Sequence, residues 1–159
     1  MIGWDEILAG GVSKEATIMS WRGTEGGIAA AKKGNNVIMT PSAYCYLDYR
    51  QTTDRKDELD SNGSYVPLRK AYSFNPYEQL AKDEQKYIMG VQGNLWTEYI
   101  PNFNHAQHML LPRLAAIAEV GWSYGNKDYD DFSRRMHLLR KLYDKCGYNY
   151  APYFFNGIE

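Results

Sequence analysis

Tyr87-Ile88-Met89-Gly90-Val91-Gln92-Gly93-Asn94-Leu95-Trp96-Thr97-Glu98 carries the pattern on which the fold turns: a short apolar run, then an aromatic ring with a carboxylate close behind. Related patterns recur upstream. Met1-Ile2-Gly3-Trp4 runs into Asp5 and Glu6, Thr17-Ile18-Met19-Ser20 ends at Trp21, and Val37-Ile38-Met39-Thr40 leads to Tyr46-Leu47-Asp48. Strands of a parallel sheet are covered on both faces, so they read as continuous apolar runs. Helical patterns fall between or after these runs. The chain therefore reads as α/β, with strands at 1–4, 17–21, 37–40 and 87–91.

In a barrel of βα units, residues just past each strand's C-terminal end converge on one site. Rings and carboxylates collected there suit a sugar, whose C–H faces stack on rings and whose hydroxyls donate to carboxylates. The competing reading of the same rings is a well-packed core. A complete (β/α)8 barrel takes about 250 residues, and this chain has 159. The expectation is a partial (β/α)8 TIM barrel of about four βα units plus a C-terminal helix. Residues 1–159 are read as a single domain, which is length enough for one ordinary core.

Working outward, residues 26–33 are Ala-rich and stop at Gly34, as a short helix does when a glycine follows its end. Pro41 stops the third strand. Residues 51–66, including Asp54-Arg55-Lys56-Asp57-Glu58 and Asp60-Ser61-Asn62-Gly63, are expected to form a long polar loop over the site or a solvated insertion. Asn75-Pro76-Tyr77-Glu78 has the features of a helix start, with a capping Asn, Pro at the first position and a Glu reaching back. Asn104 is expected to cap a helix through Leu110, Leu114 and Ile117 to Trp122, with Pro112 kinking it or resetting its start. Phe132, Met136, Leu139 and Tyr143 recur at helical spacing, giving a terminal helix at about 129–146 that Gly147 ends.

Formal net charge is −1, so nothing points to nucleic acid or an anionic membrane. No run approaches the roughly 20 apolar residues of a membrane span. The first residues lack the regions of a signal peptide. Cys45 and Cys146 make no metal-spaced pair, and no disulfide between them follows from sequence. His105 and His108 stand three apart on an expected helix without an evident third ligand, so no metal and no cofactor is expected. His137 is expected at the surface and Trp122 in a structural role.

Six segments in order resemble one family. Gly3-Trp4-Asp5-Glu6-Ile7-Leu8, Met19-Ser20-Trp21-Arg22-Gly23, Val37-Ile38-Met39-Thr40-Pro41, Tyr46-Leu47-Asp48-Tyr49, Gly90-Val91-Gln92-Gly93-Asn94-Leu95-Trp96-Thr97-Glu98, and Pro112-Arg113-Leu114 through Ala118-Glu119-Val120-Gly121-Trp122-Ser123 look like the C-terminal half of the catalytic barrel of glycoside hydrolase family 20, the β-N-acetylhexosaminidases. The resemblance spans roughly residues 1 to 123. It implies a TIM barrel of which these are the last four strands. It also implies retaining hydrolysis of terminal N-acetyl-hexosamines, in which the substrate's own 2-acetamido oxygen is the nucleophile.

By that resemblance, Trp4 and Trp21 wall the acetamido methyl. Tyr46 donates to the acetamido carbonyl, Asp48 accepts from the outer hydroxyls, Trp96 is the platform under the ring, and Glu98 accepts from O4 or O6. If residues 96–98 are extended, Trp96 and Glu98 face one side, as Tyr46 and Asp48 do at the same spacing. The family's catalytic Asp-Glu pair follows a His-x-Gly-Gly-like run, and this chain has no such run. Asp5-Glu6 maps to the next strand and is not that pair. The general acid and the sugar-clamping arginine are therefore expected outside these residues, in a longer parent that the family places in the periplasm or outside the cell.

Two rivals remain at this point. One is a self-contained two-carboxylate glycosidase using Glu6 and Glu98. The other is a non-catalytic sugar-binding or assembly module. A half barrel also exposes unpaired strand edges, so self-association of the chain is expected.

Overall fold

A computed structural model describes every residue except 55–58, 60 and 159. Four parallel strands form the central sheet: β1 (Ile2–Trp4), β2 (Thr17–Ser20), β3 (Val37–Met39) and β6 (Ile88–Val91), adjacent in that order. Because all four run the same way, their C-terminal ends share one edge of the sheet. Between β3 and β6 the chain makes a separate two-stranded parallel ribbon, β4 (Tyr49–Arg50) with β5 (Asn62–Tyr65).

Side chains alternate across a strand, and here the two sheet faces have different neighbours. Ile18, Val37, Met39 and Ile88 point to the buried side. There they meet α1 (Glu25–Lys33), packed on β2 and β3, and α5 (Arg113–Ser123), packed on β6. The approach of α1 is close: a Cβ at Gly27 would lie 2.6 Å from Met39 Sδ. Ser20 Oγ accepts the Gly27 N–H at 2.9 Å, satisfying one of the donors a helix start leaves open. Gly34 ends α1 in the left-handed region at φ 86°.

The opposite sheet face carries Trp4, Thr17, Met19 and Ile38, all half-buried, and Ile2 and Met89 at 62% and 64% exposure. Among the described residues no element covers this face, and β1 and β6 each have one sheet neighbour.

The remaining helices are α2 (Ser42–Cys45), α3 (Leu68–Ser73), α4 (Phe103–Leu110) and α6 (Tyr129–Cys146). Tyr72 of α3 stacks on Phe132 of α6 at 4.5 Å, and its hydroxyl donates to Glu119 of α5 at 2.9 Å. Arg113 is fully buried and donates to the carbonyls of Leu47, Tyr49, Val66 and Met109 at 2.6–2.8 Å, tying α4 and α5 to the chain around β4.

Several local expectations are corrected. No helix starts at Asn75. Its side chain accepts the Tyr77 N–H at 2.9 Å in a turn, and Gln79 then takes φ 60°, which a right-handed helix forbids. The cap of α4 is Asn102, whose Oδ1 accepts the His105 N–H at 2.9 Å, and not Asn104. Of the two outcomes expected at Pro112, the structure shows the reset: α4 ends at Leu110 and α5 starts at Arg113 with Pro112 at its N-cap. The polar stretch 51–66 contains strand β5, and its residues 55–58 and 60 lie outside the described residues. The first connection holds a 3-10 helix, Asp5–Gly10, where a βα unit would carry an α-helix. Trp122 is 92% exposed, so it is not packed into the core. Cys45 is a buried free thiol and Cys146 an exposed one.

Candidate active site

Each parallel strand delivers one wall of a cavity of about 670 Å³. Trp4 ends β1, Trp21 follows β2, Tyr46 and Asp48 follow β3 through α2, and Trp96 and Glu98 follow β6. All six line this one cavity. Trp96 and Glu98 do so from a loop, since β6 ends at Val91, so their common side is not a consequence of strand alternation.

The loops after β3 and β6 are joined by backbone bonds. Leu47 N–H donates to Asn94 O at 2.6 Å, and Asn94 N–H donates to Cys45 O at 2.8 Å. The Asn94 amide, 6% exposed, donates to Thr40 Oγ1 at 2.8 Å and accepts from Gln92 Nε2 at 2.6 Å. Asn94 thus fixes Tyr46 and Trp96 relative to each other without lining the cavity. The rings then pack on one another. Tyr46 lies 6.2 Å from Trp21 in a stacked arrangement, 6.1 Å from Trp96 and 5.6 Å from Tyr49, and Trp4 lies 5.9 Å from Trp96.

Electrostatics divide the polar groups. Burial raises the Tyr46 phenol above its ordinary value, which keeps it a proton donor. Burial also raises the Asp48 carboxyl. The backbone N–H groups of Asp48 and Trp96 and the charge of Arg113 pull it the other way, and Glu98 adds to the rise. Asp48 is 4% exposed, and its Oδ1 has no hydrogen-bond partner among the described residues. Glu98 and Trp96 sit at the exposed mouth.

The cavity also contains Glu6, Tyr49 and Asn62, to which the sequence assigned no sugar contact. Tyr49 ends a recognised motif, Tyr46-Leu47-Asp48-Tyr49, but its parity differs from that of Tyr46 and Asp48. Asn62 belongs to the ribbon strand β5, and its N–H donates to Asp48 O at 3.2 Å. Nothing local in the sequence signals that pairing. His105 and His108 are buried on α4 and neither lines this cavity; His105 shares a neighbouring cavity with Thr97 and Glu98, and the His108 ring is edge-on to Tyr153 at 5.7 Å. No group of three metal-ligating side chains occurs among the described residues.

Parallel βα units that gather rings and carboxylates at the strand ends define part of a TIM-barrel glycosidase-type domain. The chain belongs to glycosyl hydrolase family 20: its residues 1–125 match that family's catalytic domain. A β-hexosaminidase of Porphyromonas gingivalis is 44% identical over 153 residues, covering 94% of this chain and 20% of that protein. A β-N-acetylhexosaminidase of Cellulomonas fimi is 30% identical, over 94% of this chain and 31% of the relative. The family 20 exo-β-N-acetylglucosaminidase of Vibrio harveyi, solved with N-acetylglucosamine, superposes with a TM-score of 0.86 at 34% identity, over 94% of this chain and 24% of that one. The chain thus spans between a fifth and a third of the length of these relatives.

Proposed function

We propose that residues 1–159 form a single domain segment, the C-terminal part of the catalytic barrel of a β-N-acetylhexosaminidase, and that the cavity holds a terminal N-acetyl-hexosamine. The observation that carries this reading is Asp48. A buried acceptor without a donor costs about 1–3 kcal/mol, and a sugar hydroxyl arriving at the cavity floor would offset that cost. The ring-lined walls, with carboxylates at Asp48 and Glu98, supply the rest of what a sugar needs.

In this reading Trp4 and Trp21 enclose the acetamido methyl and fold the amide back toward the anomeric carbon. That proximity replaces an external nucleophile. The acetamido oxygen attacks the anomeric carbon, the glycosidic bond breaks, and the departing oxygen takes a proton from a general acid contributed by residues beyond these 159. Tyr46, held protonated, donates to the acetamido oxygen and keeps the amide aligned as charge develops. Water then opens the cyclic intermediate with retention. Trp96 stacks under the ring, and Asp48 and Glu98 accept its outer hydroxyls. The two-carboxylate alternative is weakened because Glu6 already accepts the Trp21 indole N–H at 3.0 and 3.1 Å.

Hydrolysis of a chromogenic N-acetyl-β-glucosaminide by this chain and by a form extended upstream tests the proposal. Turnover by the extended form and none by the chain is expected. Turnover by the chain alone would put the acid among its own residues and overturn the assignment. A Glu6→Gln, Glu98→Gln double variant would then identify it.

A further inference from the structure

The adjacent carboxylates Asp5 and Glu6 look like an acid pair and serve no step above. Their contacts give them another task. Asp5 is 4% exposed, and both its oxygens are used on the loop after β2. Oδ2 accepts the backbone N–H groups of Trp21 and Arg22 at 3.1 and 3.3 Å, and Oδ1 accepts Arg22 Nε at 2.7 Å. The start of α1 presses on it: a Cβ at Gly26 would come within 2.9 Å of Asp5 Cβ. Glu6, half-exposed, reaches past to the far end of the same tryptophan, where its two oxygens share the indole Nε1–H at 3.0 and 3.1 Å. Arg22 Nε stands 4.0 Å from Glu6 Oε1, partly balancing the second charge.

We infer that Asp5 and Glu6 are a two-point clamp on Trp21, with Asp5 fixing its backbone and Glu6 fixing the plane of its ring, and that Glu6 thereby sets which N-acyl groups the cavity takes. Trp21 needs such a clamp. It lies just past the end of β2; its carbonyl still accepts the Ser42 N–H at 2.8 Å, but that bond does not set the plane of its ring, and the indole is a donor with no acceptor capacity. The clamp springs from the turn that begins at Asp5, directly after Trp4. The two tryptophan walls are therefore spaced by the residues that follow the first of them. A rotation of Trp21 about its side-chain torsions would change its stacked approach to Tyr46 at 6.2 Å and widen the slot. Glu6 is a positioning residue in this scheme. The selectivity it confers rests on the reading that the slot takes the acetamido methyl.

The test uses the ¹⁵N-labelled 159-residue chain and the indole Nε1–H resonance of Trp21, assigned with Trp21→Phe. Glu6→Ala should move that resonance upfield and speed its solvent exchange about tenfold, the loss of one charge-assisted bond. Glu6→Gln keeps an amide oxygen as acceptor and should stay within about twofold of the parent. N-acetylglucosamine and N-propionylglucosamine are then titrated into each form. The parent and Glu6→Gln should favour the acetyl sugar, and Glu6→Ala should lose most of that preference. An unmoved Trp21 indole in Glu6→Ala overturns the clamp. A moved indole with unchanged acyl preference overturns the selectivity role. A moved indole with no sugar bound by any form would uphold the clamp and sink the sugar reading instead.

Discussion

Removing the Arg113 guanidinium should loosen the cavity from behind. Arg113 is fully buried, and its two terminal nitrogens donate to four carbonyls: Tyr49 and Val66 at 2.8 Å, Leu47 at 2.6 Å and Met109 at 2.7 Å. Taken singly, hydrogen bonds to a charged group contribute about 1.5–3 kcal/mol each. The sum overstates the case, because burying the guanidinium itself costs several kcal/mol. What Arg113→Met leaves behind is up to four carbonyls without that donor, in a space no longer shaped to satisfy them. The expected loss is about 3–5 kcal/mol: each carbonyl left buried without a donor costs about 1–3 kcal/mol, offset in part because the guanidinium no longer has to be desolvated. Arg113→Lys should fall between, since an ammonium is compact and lacks the planar fork that reaches several carbonyls at once. Urea unfolding followed by far-ultraviolet circular dichroism measures the loss. Amide hydrogen exchange locates it, and Val66 N–H, bonded to Arg50 O at 2.8 Å, should lose protection before the amides of β2. A loss of about 0.5 kcal/mol or less, the scale of an ordinary surface change, would refute the claim that Arg113 is what holds this loop.

Three further outcomes are expected. Tyr46→Phe in an active, upstream-extended form should lower kcat by about 10²–10³ with little change in KM, as removal of a transition-state donor does; an equal rise in KM would assign Tyr46 to ground-state binding. Asp48 holds its proton to higher pH in the folded chain than in the unfolded one, chiefly through burial. The native state therefore binds more protons in the window from about pH 3.9, the ordinary carboxylate value, upward, and unfolding free energy should fall as pH rises through that window. Asp48→Asn should flatten this segment of the profile, and an unchanged profile would exclude Asp48 as its source. The uncovered sheet face and the singly paired strands β1 and β6 should drive the 159-residue chain to self-associate, so a monodisperse monomer by light scattering at micromolar concentration would count against it.

The sheet was legible because each strand writes its burial into its own residues. Val37-Ile38-Met39 needs no partner to announce a covered parallel strand. The six cavity positions were legible through motif order, and the strand ends explain why they meet. Features that depend on distant partners were not legible. Asn94 shares the parity of Trp96 and Glu98, yet its amide is spent on Thr40, 54 residues away in sequence. Asn75 carries every local sign of a helix start, but the turn it makes with Tyr77 satisfies the same groups at shorter range. Asp5 and Glu6 read as acids until the Trp21 indole and backbone supply their donors. Arg113 sat inside a recognised segment, while its four carbonyl partners come from two other stretches of chain, Leu47–Tyr49 and Val66, and from Met109 one turn before it.

The distribution of tryptophans gives the chain its own optical signal. Trp4, Trp21 and Trp96 line one cavity, with Trp4 and Trp96 at 5.9 Å, while Trp122 is 92% exposed. Emission should therefore separate into a red, iodide-quenched part dominated by Trp122, a partly accessible part from Trp96 at 43% exposure, coupled to Trp4, and a more shielded part from Trp4 and Trp21. In a Trp122→Phe background every remaining indole photon originates at a cavity wall, so intrinsic fluorescence becomes a label-free gauge of that single space.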